Sequence, residues 1–298
     1  DEISRSILPV ESMEEVVGWV RGYDVGTEIV VSLKIDGINT KNYYKDGNYK
    51  LSVTRGRSGV PFDIGKNISR IAPYKIRGDG DVFVRAEAVV TRNGLVELNK
   101  NGYDLKTPRS AAMSLIRRDV EPRFYKHLKL VAFKVNGYNT LTEGLEYLSE
   151  EGFYVAPYLV VKVPERGEEE KWVEGLIDKI WELGEVEDLA SDGMVMEVND
   201  QSVFNSRGDD GRYIGGNIAV KIGPWSPGVY KGILKDIEIK QQKSKCSVVG
   251  IIEPVILENG LEVRRVNLFN LDMVINKGLK IGEYINFEFK SESSINLI

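Results

Sequence analysis

The stretch Glu28-Ile29-Val30-Val31-Ser32-Leu33 reads as a β-strand, and it ends on Lys34-Ile35-Asp36-Gly37. β-branched residues at this density favour a pleated, half-buried surface. A lysine at the end of such a strand is a candidate nucleophile. Alone the string is weak, since Lys-x-Asp-Gly is also an ordinary surface turn. Its weight comes from five segments that succeed it in order along the chain: Thr54-Arg55-Gly56, Arg85-Ala86-Glu87, Pro108-Arg109-Ser110-Ala111-Ala112, Asp192-Gly193-Met194-Val195-Met196 and Ala219-Val220-Lys221-Ile222.

Local patterns place these segments. Ser12 and Glu15 have capping-box spacing, and Met13, Val16, Val17 and Val20 recur behind them at helical intervals. Residues 38–54 predict a hairpin turning on Lys45-Asp46-Gly47-Asn48. A strand at 81–91 carries Arg85 and Glu87 on one face, because strand side chains repeat every second residue. Thr107 and Pro108 open a helix to about Arg118, with threonine as N-cap and proline in the first turn. Arg109 and Arg117, eight residues apart, share a side of that helix. A strand at 128–135, helices at 142–152 and 169–183, and strands at 192–198 and 217–222 complete this region. Pro224-Trp225-Ser226-Pro227-Gly228 breaks the pattern and predicts a linker. Beyond it, strands at 232–241, 247–257, 261–266 and 282–289 with little helix predict a small β-barrel of the OB type. The expected organisation is α+β, with one domain at 1–223 and a barrel domain at 224–298.

Composition narrows the class. At 298 residues, 42% hydrophobic and 29% charged, the chain has the make-up of a soluble globular protein of about two domains. No apolar run approaches the roughly 20 residues of a membrane span, and no secretory leader is legible. The first residue is Asp1 rather than Met, which leaves room for sequence upstream. The single cysteine, Cys246, excludes an internal disulfide framework and a Cys-based zinc finger. It points to a reducing, cytoplasmic setting. A net charge of −5 looks wrong for a polyanion binder. However, residues 143–200 hold 17 Asp/Glu against 4 Lys/Arg, a balance of −13, so the remainder carries +8. It is the local field that steers a polyanion.

Taken in order, the motifs resemble the nucleotidyltransferase motifs of NAD-dependent DNA ligases, from about Ile7 to the C-terminus. The resemblance implies a nucleotidyltransferase domain of antiparallel sheets flanked by helices, followed by an OB-fold barrel. It implies NAD as the AMP donor, Mg²⁺ as the metal and nicked duplex DNA as the partner. Lys34 is then the residue that forms lysyl-AMP, with Asp36 orienting it or assisting the metal. Arg55 and Glu87 match positions that contact ribose. Phe133 matches an aromatic that stacks on adenine, and Lys221 a lysine that contacts phosphate and assists attack. Arg109 and Arg117 match a pair facing the nick, and arginine's planar fork suits phosphate. In the barrel, Lys243-Ser244-Lys245-Cys246, with Lys240 nearby, stands where the family has a Gly-Arg-Thr-Gly turn on duplex backbone. Lys243 and Lys245 keep the positive charge and lose the glycines. Arg264-Arg265 and Leu268-Phe269-Asn270 resemble the next segment, with Phe269 where a histidine is usual. Such contacts give salt-dependent binding that is mostly independent of base sequence.

Some positions depart from the pattern. Ser32 replaces a glutamate near the adenine. Glu197 replaces a lysine at the end of the Asp-Gly-hydrophobic motif, a charge reversal expected beside a phosphate site. Gly184 falls near a family arginine. The family's N-terminal helical domain does not precede Ile7, and its zinc-finger, helix-hairpin-helix and BRCT regions are not legible. These departures keep other readings open: an ATP-dependent DNA or RNA ligase, a ligase core whose missing domains come from a second protein chain, or a weakened nick-binding accessory protein. The retained Lys34, Arg55, Glu87 and Lys221 favour an active enzyme.

Overall fold

The computed structural model describes residues 6–56, 60–118, 120–207, 213–222, 228–242, 245–257, 262–291 and 294–298. The chain forms two compact units that divide between Lys221 and Ile222. In chain order the first contains β1 (Ser6–Val10), α1 (Met13–Arg21), β2 (Glu28–Ile35), β3 (Ile38–Lys45), β4 (Asn48–Arg55), β5 (Pro61–Asp63), α2 (Gly65–Ile68), β6 (Asp81–Val90), α3 (Arg92–Lys100), α4 (Pro108–Arg117), a 3-10 helix at Pro122–His127, β7 (Leu128–Val135), α5 (Leu141–Glu150), β8 (Tyr154–Val155), β9 (Tyr158–Lys162), α6 (Glu169–Val186), β10 (Ser191–Val198), α7 (Gln201–Ser206) and β11 (Tyr213–Val220).

Two sheets result, with strand orders β1-β11-β10-β2-β9 and β5-β4-β3-β6-β7-β8. Pairing within them is antiparallel, except that β1 runs parallel to β11 and β8 parallel to β7. Alternation decides which face each strand buries. On β2, Ile29, Val31 and Leu33 point to one side, and Val30, Ser32 and Lys34 to the other. Behind β2 lies α6, where a Cβ on Gly184 would sit 3.0 Å from the Leu33 side chain. A side chain at that position would press on Leu33. On the back of the same sheet, Arg21 of α1 ties to Glu169 of α6 at 3.0 Å.

The second sheet is covered by helices on one side. Thr107 and Ser110 form a reciprocal capping box that starts α4, and Ala111, Ala112 and Leu115 of that helix are fully buried. Their small size lets α4 lie close over Ala86 and Ala88 of β6 in one apolar cluster. Thr40, Asn42, Ser52 and Thr54 are buried with them. Each has a partner: Asn42, for example, donates to the Val84 carbonyl at 3.2 Å and accepts from the Ser52 hydroxyl at 2.6 Å. Satisfied in this way, buried polar groups need not destabilise the sheet.

Asp36 and Gly37 carry the chain from the first sheet into the second, so this is a buried crossing rather than a free surface turn. A Cβ on Gly37 would lie 2.4 Å from Val89 Cγ1 and 2.6 Å from the Ala88 carbonyl oxygen.

The second unit contains β12 (Gly228–Gln242), β13 (Lys245–Ile256), β14 (Glu262–Phe269), α8 (Leu271–Asn276), β15 (Tyr284–Ser291) and β16 (Ser294–Leu297). It is a closed barrel in the order β12-β13-β14-β16-β15, the arrangement expected of an OB fold. Leu234, Val248, Val266, Leu268 and Phe287 fill its interior. The short last strand was not legible in the sequence. Residues 223–227 and Lys243 lie outside the described residues, as do the side chains of Lys240 and Lys245.

Gly37→Ala is expected to lower stability by roughly 1–3 kcal/mol, the usual range for forcing extra volume into a packed site. Denaturant unfolding measures it, and an unchanged midpoint would mean that the crossing can open at no cost.

Candidate active site

The centre of the first sheet brings three charged side chains together. β10 lies between β2 and β11, with Met194 opposite both Leu33 and Val220. The pairing of β10 with β2 shifts between Ser191 and Met194, which leaves an irregularity at Asp192-Gly193. Bulges of this kind re-aim side chains. Gly193 has φ +154, and a Cβ there would lie 2.6 Å from the Val220 carbonyl oxygen, so only glycine allows this approach. As a result Asp192 reaches both neighbouring strands. Its Oδ1 accepts from Lys34 Nζ at 2.5 Å and its Oδ2 from Lys221 Nζ at 2.9 Å. The three side chains are 20–27% exposed, so a ligand can reach them. Burial alone would push the Asp192 carboxyl up, but Lys34 and Lys221 together outweigh it and hold it below the usual carboxylate range. A carboxylate held ionised between two amines orients them and is a poor proton acceptor.

A second group surrounds the end of the Lys34 strand. Arg109 Nη1 donates to Asp36 Oδ1 at 2.8 Å. Asp36 therefore engages the first turn of α4, and it is Asp192 that touches Lys34. Glu87 stands directly across from Asn39, whose Nδ2 donates to Glu87 Oε2 at 3.3 Å. Burial pushes the Glu87 carboxyl up to about 7, against the opposing pull of Asn39, Lys34 and Arg109. Arg55 ends β4 and is exposed. Arg117 places its guanidinium 4.8 Å from the centre of the Phe62 ring. On β7, Lys134 pairs with Arg85 and Ala132 with Ala86, so Phe133 is the extra residue of a bulge. Phe133 is half-buried, with the Arg85 guanidinium 5.7 Å from its ring centre.

Glu197, expected beside a phosphate site, stands apart from the Lys34–Asp192–Lys221 group. It lies four residues along β10 from Gly193, about 13 Å at the usual strand rise. There it is 6% exposed and well supplied with donors. Lys134 Nζ reaches it from the second sheet at 2.6 Å, Asn217 Nδ2 from β11 at 3.1 Å, and Gln201 Nε2 at 3.5 Å. Lys134 Nζ also sits 3.6 Å from the centre of the Phe204 ring. The pair shows that the Lys34 face of the first sheet looks onto the Arg85–Glu87 face of the second. Asp192 was visible in the sequence within its motif, but its contact with both lysines was not. Lys134 went unrecognised, and nothing in its spacing marks it. In the barrel, Arg264 pairs with Glu262 and Arg265 with Glu238.

Residues 11–213 match the family model described as the NAD-dependent DNA ligase adenylation domain. The chain belongs to this family. Among curated relatives it is 29% identical over 274 residues to a DNA ligase of Halothermothrix orenii, covering 87% of this chain and 39% of that one. It is 28% identical over 310 residues to a DNA ligase of Acetivibrio thermocellus, covering 94% and 44%. To a DNA ligase of Caldicellulosiruptor saccharolyticus it is 27% identical over 274 residues, covering 86% and 39%. The chain thus spans about two-fifths of the length of these relatives. Among the described residues, no helix is long and apolar enough to cross a membrane.

Because the folded state holds the Glu87 proton longer than the unfolded chain does, its contribution to stability is full below the ordinary pKa of 4.5 and is lost as pH rises through about 7. Glu87→Gln is expected to flatten that fall and to raise stability at about pH 8 by on the order of 1 kcal/mol. Unfolding curves measured across this range test it, and parallel pH profiles for the two proteins would refute the assignment.

Proposed function

We propose that this chain is the adenylylating core of an NAD-dependent DNA ligase, with Lys34 as the residue that carries AMP. The carrying observation is the placement of Lys34 and Lys221 on the two oxygens of Asp192, at 2.5 and 2.9 Å, in a member of the adenylation-domain family. In this reading Lys34 Nζ loses a proton to solvent and attacks the α-phosphorus of NAD. The N–P bond forms, the P–O bond to the β-phosphate breaks, and nicotinamide mononucleotide leaves. Lys221 lies where its ammonium neutralises charge gathering on that phosphate. Asp192 keeps both amines in position. Arg55, Asn39 and Glu87 grip the ribose, and Phe133 offers its ring to the base.

The donor set suits magnesium. Mg²⁺ keeps several waters and takes one or two carboxylates alongside substrate phosphates. Asp36 and Glu87 lie near enough to feel each other's charge, and among the described residues no larger cluster of metal ligands occurs. When bound, the ion supplies charge neutralisation at the reacting phosphate. The AMP then passes to the 5′-phosphate of a nick, and the adjacent 3′-hydroxyl displaces it to seal the strand. Arg109, Arg117, Lys243 and Lys245 are the residues assigned to the duplex backbone. A cytoplasmic location goes with the DNA substrate.

The test is incubation with adenylate-labelled NAD or ATP, followed by denaturing electrophoresis and intact mass. Label is expected on the wild-type chain from NAD and not from ATP, and on none of the Lys34→Ala protein. Asp192→Asn is expected to slow labelling roughly a hundredfold through misplacement of the nucleophile. Labelled Lys34→Ala protein would remove the nucleophile. Label from neither donor, with no AMP adduct on the protein as purified, would leave a nick-binding protein in place of an enzyme.

A further inference from the structure

Phe62 is a large aromatic side chain left 45% exposed on β5, the outer strand of the second sheet. The active site just described makes no use of it. We propose that Phe62 and the cations around it form a platform for single-stranded nucleic acid, with an unpaired base stacked on the Phe62 ring and the neighbouring phosphates on Arg117, Arg118 and Arg70. The inference rests on the reading above only for the class of partner.

Position sets the platform apart from the nucleotide cleft. Phe62 pairs with Thr54, Thr54 with Thr40 and Thr40 with Ala86, so all four lie on the face covered by helices. Asn39 and Glu87 lie on the other face. Arg117 ends α4 on the helical side and sets its guanidinium 4.8 Å from the centre of the Phe62 ring. Arg109, in the first turn of the same helix, reaches Asp36. Eight residues of helix separate the two arginines, about 12 Å along the axis. A strand leaving Arg109 along α4 therefore meets Phe62 within a short run of nucleotides.

Charge is the second argument. Residues 60–71 and 116–126 hold six Lys/Arg against three Asp/Glu, a balance of +3 in a chain of net −5. Of the acids, Asp63 accepts from the Gly65 N–H at 2.7 Å and Glu121 pairs with Arg123 at 2.9 Å. One buried side chain draws these segments together. Asn67, 5% exposed, donates from Nδ2 to the carbonyls of Ile116 at 3.0 Å and Arg118 at 3.1 Å, and accepts from the Tyr125 hydroxyl at 2.7 Å. The last turn of α4 is thereby fixed against α2, and the Arg70 guanidinium lies 5.1 Å from the centre of the Tyr125 ring. Among the described residues, no hydrogen bond holds the side chain of Arg70, Arg117 or Arg118. A guanidinium laid on a ring keeps its N–H edge for phosphate.

Chemistry selects a single strand over a duplex. Exposed aromatic rings stack on bases, and a guanidinium plane on the same ring adds to the attraction. Within a duplex each base face is covered by its neighbours, so only an unstacked nucleotide can offer its face to Phe62. An apolar side chain exposed singly is ordinary on a protein surface. What distinguishes Phe62 is a cation on its ring and further cations tied to the same segments through Asn67.

The experiment measures binding of the whole chain to a fluorescently labelled oligodeoxythymidylate and to a blunt, unnicked duplex of the same length, by anisotropy over a range of salt, alongside labelling of Lys34 by NAD. Wild-type protein is expected to bind the single strand. Phe62→Ala is expected to weaken that binding about tenfold, the weight of one stacked base, with salt dependence and duplex affinity unchanged because no phosphate contact is lost. Phe62→Trp is expected to keep the wild-type affinity. Arg70→Ala is expected to weaken single-strand binding and to lower the slope of log affinity against log salt by about 0.7, one phosphate contact on a single strand. The inference is overturned by a wild-type protein with no single-strand affinity, by a Phe62→Ala protein that keeps that affinity, or by one that loses duplex and single strand equally. A chain that takes no label from NAD yet binds the single strand through Phe62 leaves the platform in place and counts against the adenylylation reading alone.

Discussion

One carboxylate holds two amines that would otherwise repel each other. Lys34 and Lys221 end neighbouring stretches of the same sheet, and like charges so close are unfavourable without a counter-ion. Asp192 supplies it from the strand between them, one oxygen to each lysine. Much of the first unit serves that contact. β10 must be central in its sheet, Gly193 must allow an approach that any side chain would block, and β11 must end where Lys221 can turn inward. The result is a pair of cations held in fixed geometry about one carboxylate.

A second constraint is the way the chain passes between the sheets. Gly37 lets β2 hand over to β3 within two residues, so Lys34 and the Asn39–Glu87 pair are joined by a short run of chain but lie on facing sheets. Each sheet then carries a local irregularity on the facing side, Asp192-Gly193 in one and Phe133 in the other. Regular alternation would send successive side chains to opposite faces. The irregular pairing is what aims Asp192 at both lysines and sets Phe133 beside Lys134.

Much of this was legible in the sequence, for reasons that differ by element. β2, β3 and β6 announce themselves by β-branched residues and alternation, and α4 by Thr107-Pro108 with small apolar residues behind it. Lys34, Asp192 and Lys221, which the fold brings together, stood out because ordered motifs carried them. Other elements lacked a local signal. β1 contains Pro9 and pairs in parallel with β11, some 200 residues away, so its partner could not be inferred from any neighbouring turn. α3 begins Arg92-Asn93-Gly94, an unpromising helix start, and forms because Thr91 caps it by accepting from Gly94 N–H. β9 and β16 are short and take their stability from strands already in place. The Lys134–Glu197 contact belongs to this class as well. It joins residues 63 apart in sequence through the stacking of two sheets, and periodicity within either strand says nothing about it.

That contact changes the weight of the charge reversal at Glu197. A buried carboxylate without a partner costs several kcal/mol, enough to threaten a domain of ordinary stability. Here the acid arrives with its own cation, supplied from β7 instead of β10, and with two further donors. The local charge is therefore balanced, and the exchange leaves Lys34 and Lys221 on Asp192. A substitution that looks like the loss of a functional lysine along a single strand is, in three dimensions, a rearrangement of donors and acceptors across two sheets. Lys34 and Lys221 keep their shared carboxylate, and the exchange is confined to the Glu197 end of the strand.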